Sequence, residues 1–130
     1  MIKKSQASVE FLIITGFVLF IFTSFFIAIN ESSSDKINQR QNTAVQEVAL
    51  TIQDEINLAF KSSDGYSRNF KIPDKINSQE YSVNITDNVV YVKTNDNKYA
   101  LALPVKKING TIQKGENLIQ KQNDTIYLNK

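Results

Sequence analysis

Three hydropathy patterns follow one another along the chain. From Phe11 to Ile29 it reads FLIITGFVLFIFTSFFIAI, 19 residues without a charge, fourteen of them Phe, Leu, Ile or Val. That is long enough to cross a bilayer as one helix. At about 0.3 to 0.6 kcal/mol gained per such residue, insertion is favoured by about 4 to 8 kcal/mol, against the roughly 3 kcal/mol that a misplaced carboxylate costs. Insertion therefore tolerates Glu10, which sits just before the run. Gly16 and Thr23 share a helical stripe inside the run, where small residues let helices approach closely; Thr and Ser can equally satisfy themselves on the preceding turn. Asn30 to Asp35, NESSSD, ends the apolar run. Ser and Asp compete for backbone hydrogen bonds, so this junction predicts a fray or a bend.

Beyond the junction the pattern becomes amphipathic. Ile37, Val45, Val48, Ile52, Ile56, Ala59 and Phe60 recur mostly at three or four, with polar residues between them. This predicts a helix over 36–61 with one face for a partner, stopped by Ser62-Ser63-Asp64-Gly65. An unbroken helix from Gln6 to Lys61 would span on the order of 80 Å.

From Tyr66 the period changes to two. Tyr81, Val83 and Ile85 form one alternating row, and Tyr99, Leu101, Leu103 and Val105 another, while Val89 to Val92 is a continuous apolar run expected to be more buried. Alternation places Tyr81, Tyr91 and Tyr99 in the core. Turn signals fall at Asp87-Asn88, Asn95-Asp96-Asn97, Asn109-Gly110 and Asn123-Asp124; Asn-Gly between KKI and TIQ is the clearest hairpin signal, a type I′ turn. The expected result is an antiparallel meander of about five to eight short strands in one sheet, which needs a cover. The outer helix supplies it. The fold class is thus α+β: a long N-terminal helix whose outer half packs on a small antiparallel β-domain over 66–130, in the form of a lollipop.

Composition narrows the chemistry. A length of 130 residues leaves room for one compact domain besides the anchor. The chain has no Cys and no His, which excludes disulfides, thiolate chemistry, imidazole metal sites and His-based catalysis. Its formal net charge of +2 resides in Lys3 and Lys4, and without residues 1–5 the 13 remaining basic residues balance 13 acidic ones. No basic patch argues for nucleic acid. By the positive-inside rule Lys3 and Lys4 put the N-terminus in the cytoplasm and everything after Asn30 outside.

The extreme N-terminus departs from an ordinary secretory signal, whose apolar run is 7 to 15 residues and is followed by a small-residue cleavage site. Here the run is longer, no A-x-A site follows it, and Ser5-Gln6-Ala7-Ser8 lies between the lysines and Glu10. KKSQASVEFLI resembles the start of archaeal type IV pilins and pilin-like proteins with a class III signal peptide. The resemblance covers about eleven residues of this chain. Ser5 stands where the family commonly has Gly. What it implies is a leader over 1–5 removed by a prepilin-type peptidase between Ser5 and Gln6, with the segment over 11–29 kept as the transmembrane and filament-core part of the helix over 6–61. It also implies that Glu10 lies at mature position five, where it assists assembly. On physical grounds a carboxylate carried into an apolar bundle needs a partner. The α-amino group created at Gln6 of a neighbouring subunit would supply one; the alternative is a Glu10 that merely sits at the headgroup boundary of an uncleaved anchor.

Four N-x-Ser/Thr sequons, at Asn30, Asn84, Asn109 and Asn123, follow the apolar segment, on the side where N-glycosylation acts. Asp87, Asp96 and Asp124 carry oxygen ligands but match no EF-hand loop and suit ordinary turns. Lys61, Lys71, Lys75, Lys93, Lys98, Lys106, Lys107, Lys114 and Lys121 are scattered among acids and are expected to form a solvated face. No Gly-rich phosphate loop or nucleophile elbow is present, so no catalytic residue, metal or cofactor is expected.

The sequence thus points to a structural, non-enzymatic subunit of a surface filament, held in the membrane before trimming and extracellular afterwards. Its expected partners are identical or related pilin subunits, the prepilin peptidase, the membrane and a surface or cell receptor for adhesion. Two alternatives stand beside it: a pilin-like component of a secretion or surface machine that forms no long filament, and a single-pass membrane-anchored binding module that keeps its leader.

Overall fold

The computed structural model describes the backbone of residues 2–130 and their side chains, apart from those of residues 2–5, Glu31 and Ser32. Helix α1 runs Ile2–Lys61. Seven strands follow: β1 (Ser67–Ile72), β2 (Tyr81–Thr86), β3 (Val89–Thr94), β4 (Ala100–Pro104), β5 (Ile108–Gly110), β6 (Gly115–Gln122) and β7 (Thr125–Leu128). The chain divides into two units, Met1–Asn38 and Gln39–Lys130.

In the first unit the polar junction stays helical rather than fraying. Ser33 and Ser34 donate their hydroxyls to the carbonyls of Ile29 and Asn30, at 2.9 and 3.2 Å, as Thr23 and Ser24 do to Leu19 and Phe20, at 2.8 and 2.9 Å. Bonding back within the helix removes the competition that these side chains would offer to the backbone ladder.

The second unit is α+β, with the outer part of α1 packed on the strands around one core. Val45, Val48, Ala49, Ile52, Ile56 and Ala59 are buried on the helix and form a cluster with Ile72 of β1, Tyr81 of β2, Val90 and Val92 of β3, Ile119 of β6 and Leu128 of β7. The four large aliphatic helix side chains together supply about 6 to 12 kcal/mol of apolar burial. Two residues of the expected stripe fall outside it: Ile37 is 58% and Phe60 45% exposed.

The strands form two sheets rather than the single meander expected. β2-β3-β4 is a three-stranded antiparallel meander, whereas the other sheet has the order β1-β6-β7-β5. β1 pairs with the distant β6, Arg68 opposite Ile119, and β5 runs parallel to β7. Two hairpins use the anticipated turn chemistry. Asp87 and Asn88 (φ 52° and 62°) join β2 to β3, and Asn123 and Asp124 (φ 48° and 58°) join β6 to β7, each with both central residues at positive φ as a type I′ loop requires. Asn109-Gly110, expected to be the clearest such turn, is instead part of β5. Its register is Asn109 beside Tyr127 and Gly110 beside Leu128, and Gly110 (φ 121°) is needed there for a close backbone approach. The run Val89 to Val92 alternates: Val90 and Val92 are fully buried, but Tyr91 points outward at 48% exposure, against the core position expected for it. Tyr99 is half-buried.

Tyr81 is buried and donates its hydroxyl to the carbonyl of Pro73. Burial pushes its phenol up to about 12, with the Asp74 carboxylate adding to the shift. In the unfolded chain the group ionises near pH 10. The folded state holds this proton more tightly, so the contribution is full below about pH 10 and is lost as pH rises toward 12. Tyr81→Phe is expected to flatten the alkaline loss of stability, read as denaturant midpoints at pH 8 and 11 for both proteins. An equal drop in the two would assign the loss to other groups.

Candidate functional site

Two surfaces carry candidate chemistry, one in each unit. On the first, all fourteen Phe, Leu, Ile and Val side chains from Phe11 to Ile29 are exposed, between 49% at Ile29 and 74% at Phe22. A continuous apolar surface of this extent is far from what a lone water-soluble domain presents. By length and composition α1 is the one helix, among the described residues, able to cross a membrane. Gly16 has open space around the position of a Cβ, so nothing in its own chain packs against it. Gln6 and Glu10 are exposed on the helix, and Glu10 has no ion-pair partner among the described residues. The side chain of Ser5 lies outside the described residues.

The second surface lies where α1 ends, and it corrects one expectation about the lysines. Lys121 is buried at 7% exposure rather than part of a solvated face. Its Nζ donates to the carbonyls of Phe60 and Ser62 at 2.9 and 3.0 Å and lies 3.1 Å from the Asp124 carboxylate. These carbonyls stand at the negative end of the helix, with no intrahelical partners of their own, so a cation there both completes hydrogen bonds and opposes the dipole. The same junction is tied by Gly65 N–H to Lys121 O and Lys121 N–H to Tyr66 O, both at 2.9 Å, and by Asp124 N–H to the Asp64 carboxylate at 2.9 Å. The signal for this was present in the period: Asn117, Ile119 and Lys121 are the inward phase of β6.

Beside Lys121 a cleft of about 420 Å³ opens. β5 and β7 are paired only from Ile108 and Ile126 onward; the preceding Lys106 and Lys107 are outside the strand and leave the start of β7 uncovered. Phe60, Ile108 and Ile126 form the apolar lining, and Asn109, Asp124 and Thr125 contribute polar groups. Lys106 Nζ lies 4.9 Å and Lys121 Nζ 5.6 Å from the centroid of the Phe60 ring. Lys106 and Lys107 are exposed and stand in no ion pair among the described residues, while the charge of Asp124 is matched by Lys121.

The four sequon asparagines, Asn30, Asn84, Asn109 and Asn123, are all exposed. Asn109 lines the cleft, and Asn123 immediately precedes Asp124 at its rim. Asp87, Asp96 and Asp124 sit on three separate turns, and no group of three His, Cys, Asp or Glu side chains is assembled among the described residues. Asp96 instead organises its own loop: it accepts from Thr94 Oγ1 at 2.5 Å and from Lys98 N–H at 3.2 Å, and the Thr94 hydrogen bond first, then that of Lys98, holds its carboxyl below the usual range. Glu80 bridges Lys114 and Lys75 at 2.9 and 3.3 Å, and those bonds, Lys114 first, lower its carboxyl likewise.

No family model, curated protein or solved structure matches the chain.

Proposed function

We propose that the chain is a structural subunit of an archaeal type IV pilus-like surface filament, trimmed between Ser5 and Gln6 by a prepilin-type peptidase and assembled through its apolar helix. The observation that carries this reading is the uncovered surface from Phe11 to Ile29, whose side chains find no cover within their own unit. Two environments satisfy such a helix, lipid and copies of itself, and a pilin uses them in turn. Because lipid tails are as apolar as Leu, exchanging one for the other gains little from hydrophobicity. Close packing at small residues such as Gly16 and charge pairing at Glu10 therefore have to decide assembly. Before extraction the helix anchors the chain with Lys3 and Lys4 on the cytoplasmic side; afterwards the β-domain coats the filament and presents its loops for adhesion.

Mass spectrometry of the N-terminal peptide, from sheared extracellular material and from membranes of the same cells, tests the reading. The expected result is a chain beginning at Gln6 in a pelletable extracellular fraction. A chain beginning at Met1 and confined to membranes would overturn it in favour of a single-pass anchored binding module. A trimmed chain absent from any filament would point to a non-filamentous component of a secretion or surface machine.

A further inference from the structure

We infer that the cleft beside Phe60, where Lys106 and Lys107 ahead of β5 leave the start of β7 uncovered, is a binding site for an acidic saccharide. Its volume of about 420 Å³ is that of a small-ligand site, for which roughly 300 to 1,000 Å³ is usual. The lining selects the chemistry. Lys106 and Lys107 offer two ammonium groups free of ion pairs, which favours an anion and gives charge-assisted hydrogen bonds to a carboxylate. A bare inorganic anion would leave the rest of the lining unused: Ile108 and the 45%-exposed Phe60, whose ring already carries the Lys106 ammonium at 4.9 Å, offer apolar surface to the C–H groups of a pyranose. The Asn109 amide, the Thr125 hydroxyl and the Asp124 carboxylate, whose charge Lys121 matches, suit its hydroxyl groups, Asp124 as an acceptor. A uronic acid carries all three features on one ring.

Such a ligand has two sources with the same chemistry. One is a polysaccharide outside the protein. The other is a glycan on the chain itself, since two of the four sequons, Asn109 and Asn123, border this one cleft. The inference holds for the β-domain whether or not the chain forms filaments.

The test is a ligand-observed NMR titration of the full-length chain in detergent micelles with digalacturonate and with its neutral counterpart digalactose. Digalacturonate is expected to bind at least tenfold more tightly than digalactose, and the double variant Lys106→Ala/Lys107→Ala to lose at least tenfold of that affinity with an unchanged Tm. Equal affinity for the two disaccharides, an unaffected double variant, or displacement by inorganic sulfate at the same concentration as by digalacturonate would each overturn the proposal. Repeating the titration on glycosylated protein and on Thr111→Ala/Asn123→Gly, which removes the sequons of Asn109 and Asn123 without altering a residue of the lining, distinguishes the sources. Binding only to the sequon variant assigns the cleft to the chain's own glycan, equal binding assigns it to an external saccharide, and no binding to either overturns it.

Discussion

Gly110→Ala is expected to lower the unfolding free energy by about 2 to 6 kcal/mol, the sum of a strained backbone and a steric clash. Gly110 adopts φ 121°, a conformation that L-residues rarely enter, and a Cβ built there would lie 1.8 Å from the Leu128 carbonyl oxygen. That oxygen belongs to the strand paired with β5, so it cannot move aside without giving up the register in which Gly110 faces Leu128. Gly65→Ala isolates the backbone part, because φ is 92° there and nothing lies within 4 Å of the added Cβ. Its cost should stay near 1 to 3 kcal/mol. Denaturant unfolding of the two variants beside the parent measures the difference. Equal losses would mean that β5 does not approach β7 as closely as described. Because β5 forms one wall of the saccharide cleft, Gly110→Ala should also weaken digalacturonate binding, whereas Gly65→Ala should not.

The contrast between Asn109-Gly110 and the other turn signals explains how far the fold could be read from sequence. Asp87-Asn88 and Asn123-Asp124 form tight hairpins because the strands on either side are themselves antiparallel partners, β2 with β3 and β6 with β7. A dipeptide that tolerates positive φ is a local property; whether its flanks pair is not. KKI and TIQ do not pair with each other, and the same glycine serves a parallel contact with a strand at the end of the chain. The helix stripe was legible at Val45, Val48, Ile52, Ile56 and Ala59 because a 3.6-residue period needs no knowledge of the partner. The period failed only at Ile37 and Phe60, the extremes of the expected face. Strand pairing across long separations, such as β1 with β6, leaves no mark on local alternation, which is why two sheets were read as one.

The candidate sites divide in the same way. Exposure of the Phe11 to Ile29 side chains follows directly from composition, whereas that of Asn84 follows from its strand phase between the half-buried Val83 and Ile85, and that of Asn123 from its turn. The cleft does not, because it brings together Phe60 from the helix end, Lys106 from the segment before β5 and Asp124 from the β6–β7 turn. Lys121 was readable in part. Its inward phase in β6 is visible in the alternation, but the carbonyls of Phe60 and Ser62 that make burial of an ammonium group favourable come from 59 to 61 residues earlier.

Glu10→Ala is expected to leave membrane insertion and leader removal intact and to reduce filament yield by at least an order of magnitude. The variant removes the charge nearest the start of an otherwise uncharged run, so insertion of Phe11 to Ile29 becomes easier. Assembly is different. On the filament reading each trimmed subunit brings an α-amino group at Gln6 and a carboxylate at Glu10 into an apolar bundle. Leaving one member of a buried pair without its partner costs about 3 to 5 kcal/mol, which is roughly a hundredfold or more in the equilibrium for adding a subunit. Glu10→Gln keeps the shape and polarity of the side chain but not its charge, and should fail nearly as fully. Glu10→Asp keeps the charge on a shorter stem and should recover part of the yield. Carbonate extraction reads insertion, the mass of the N-terminal peptide reads trimming, and sheared filaments counted by electron microscopy read assembly. Filaments of normal number and length from Glu10→Ala would remove the pairing and return Glu10 to a boundary residue at the membrane surface. Retention of residues 1–5 in that variant would instead move the role of Glu10 to recognition by the peptidase.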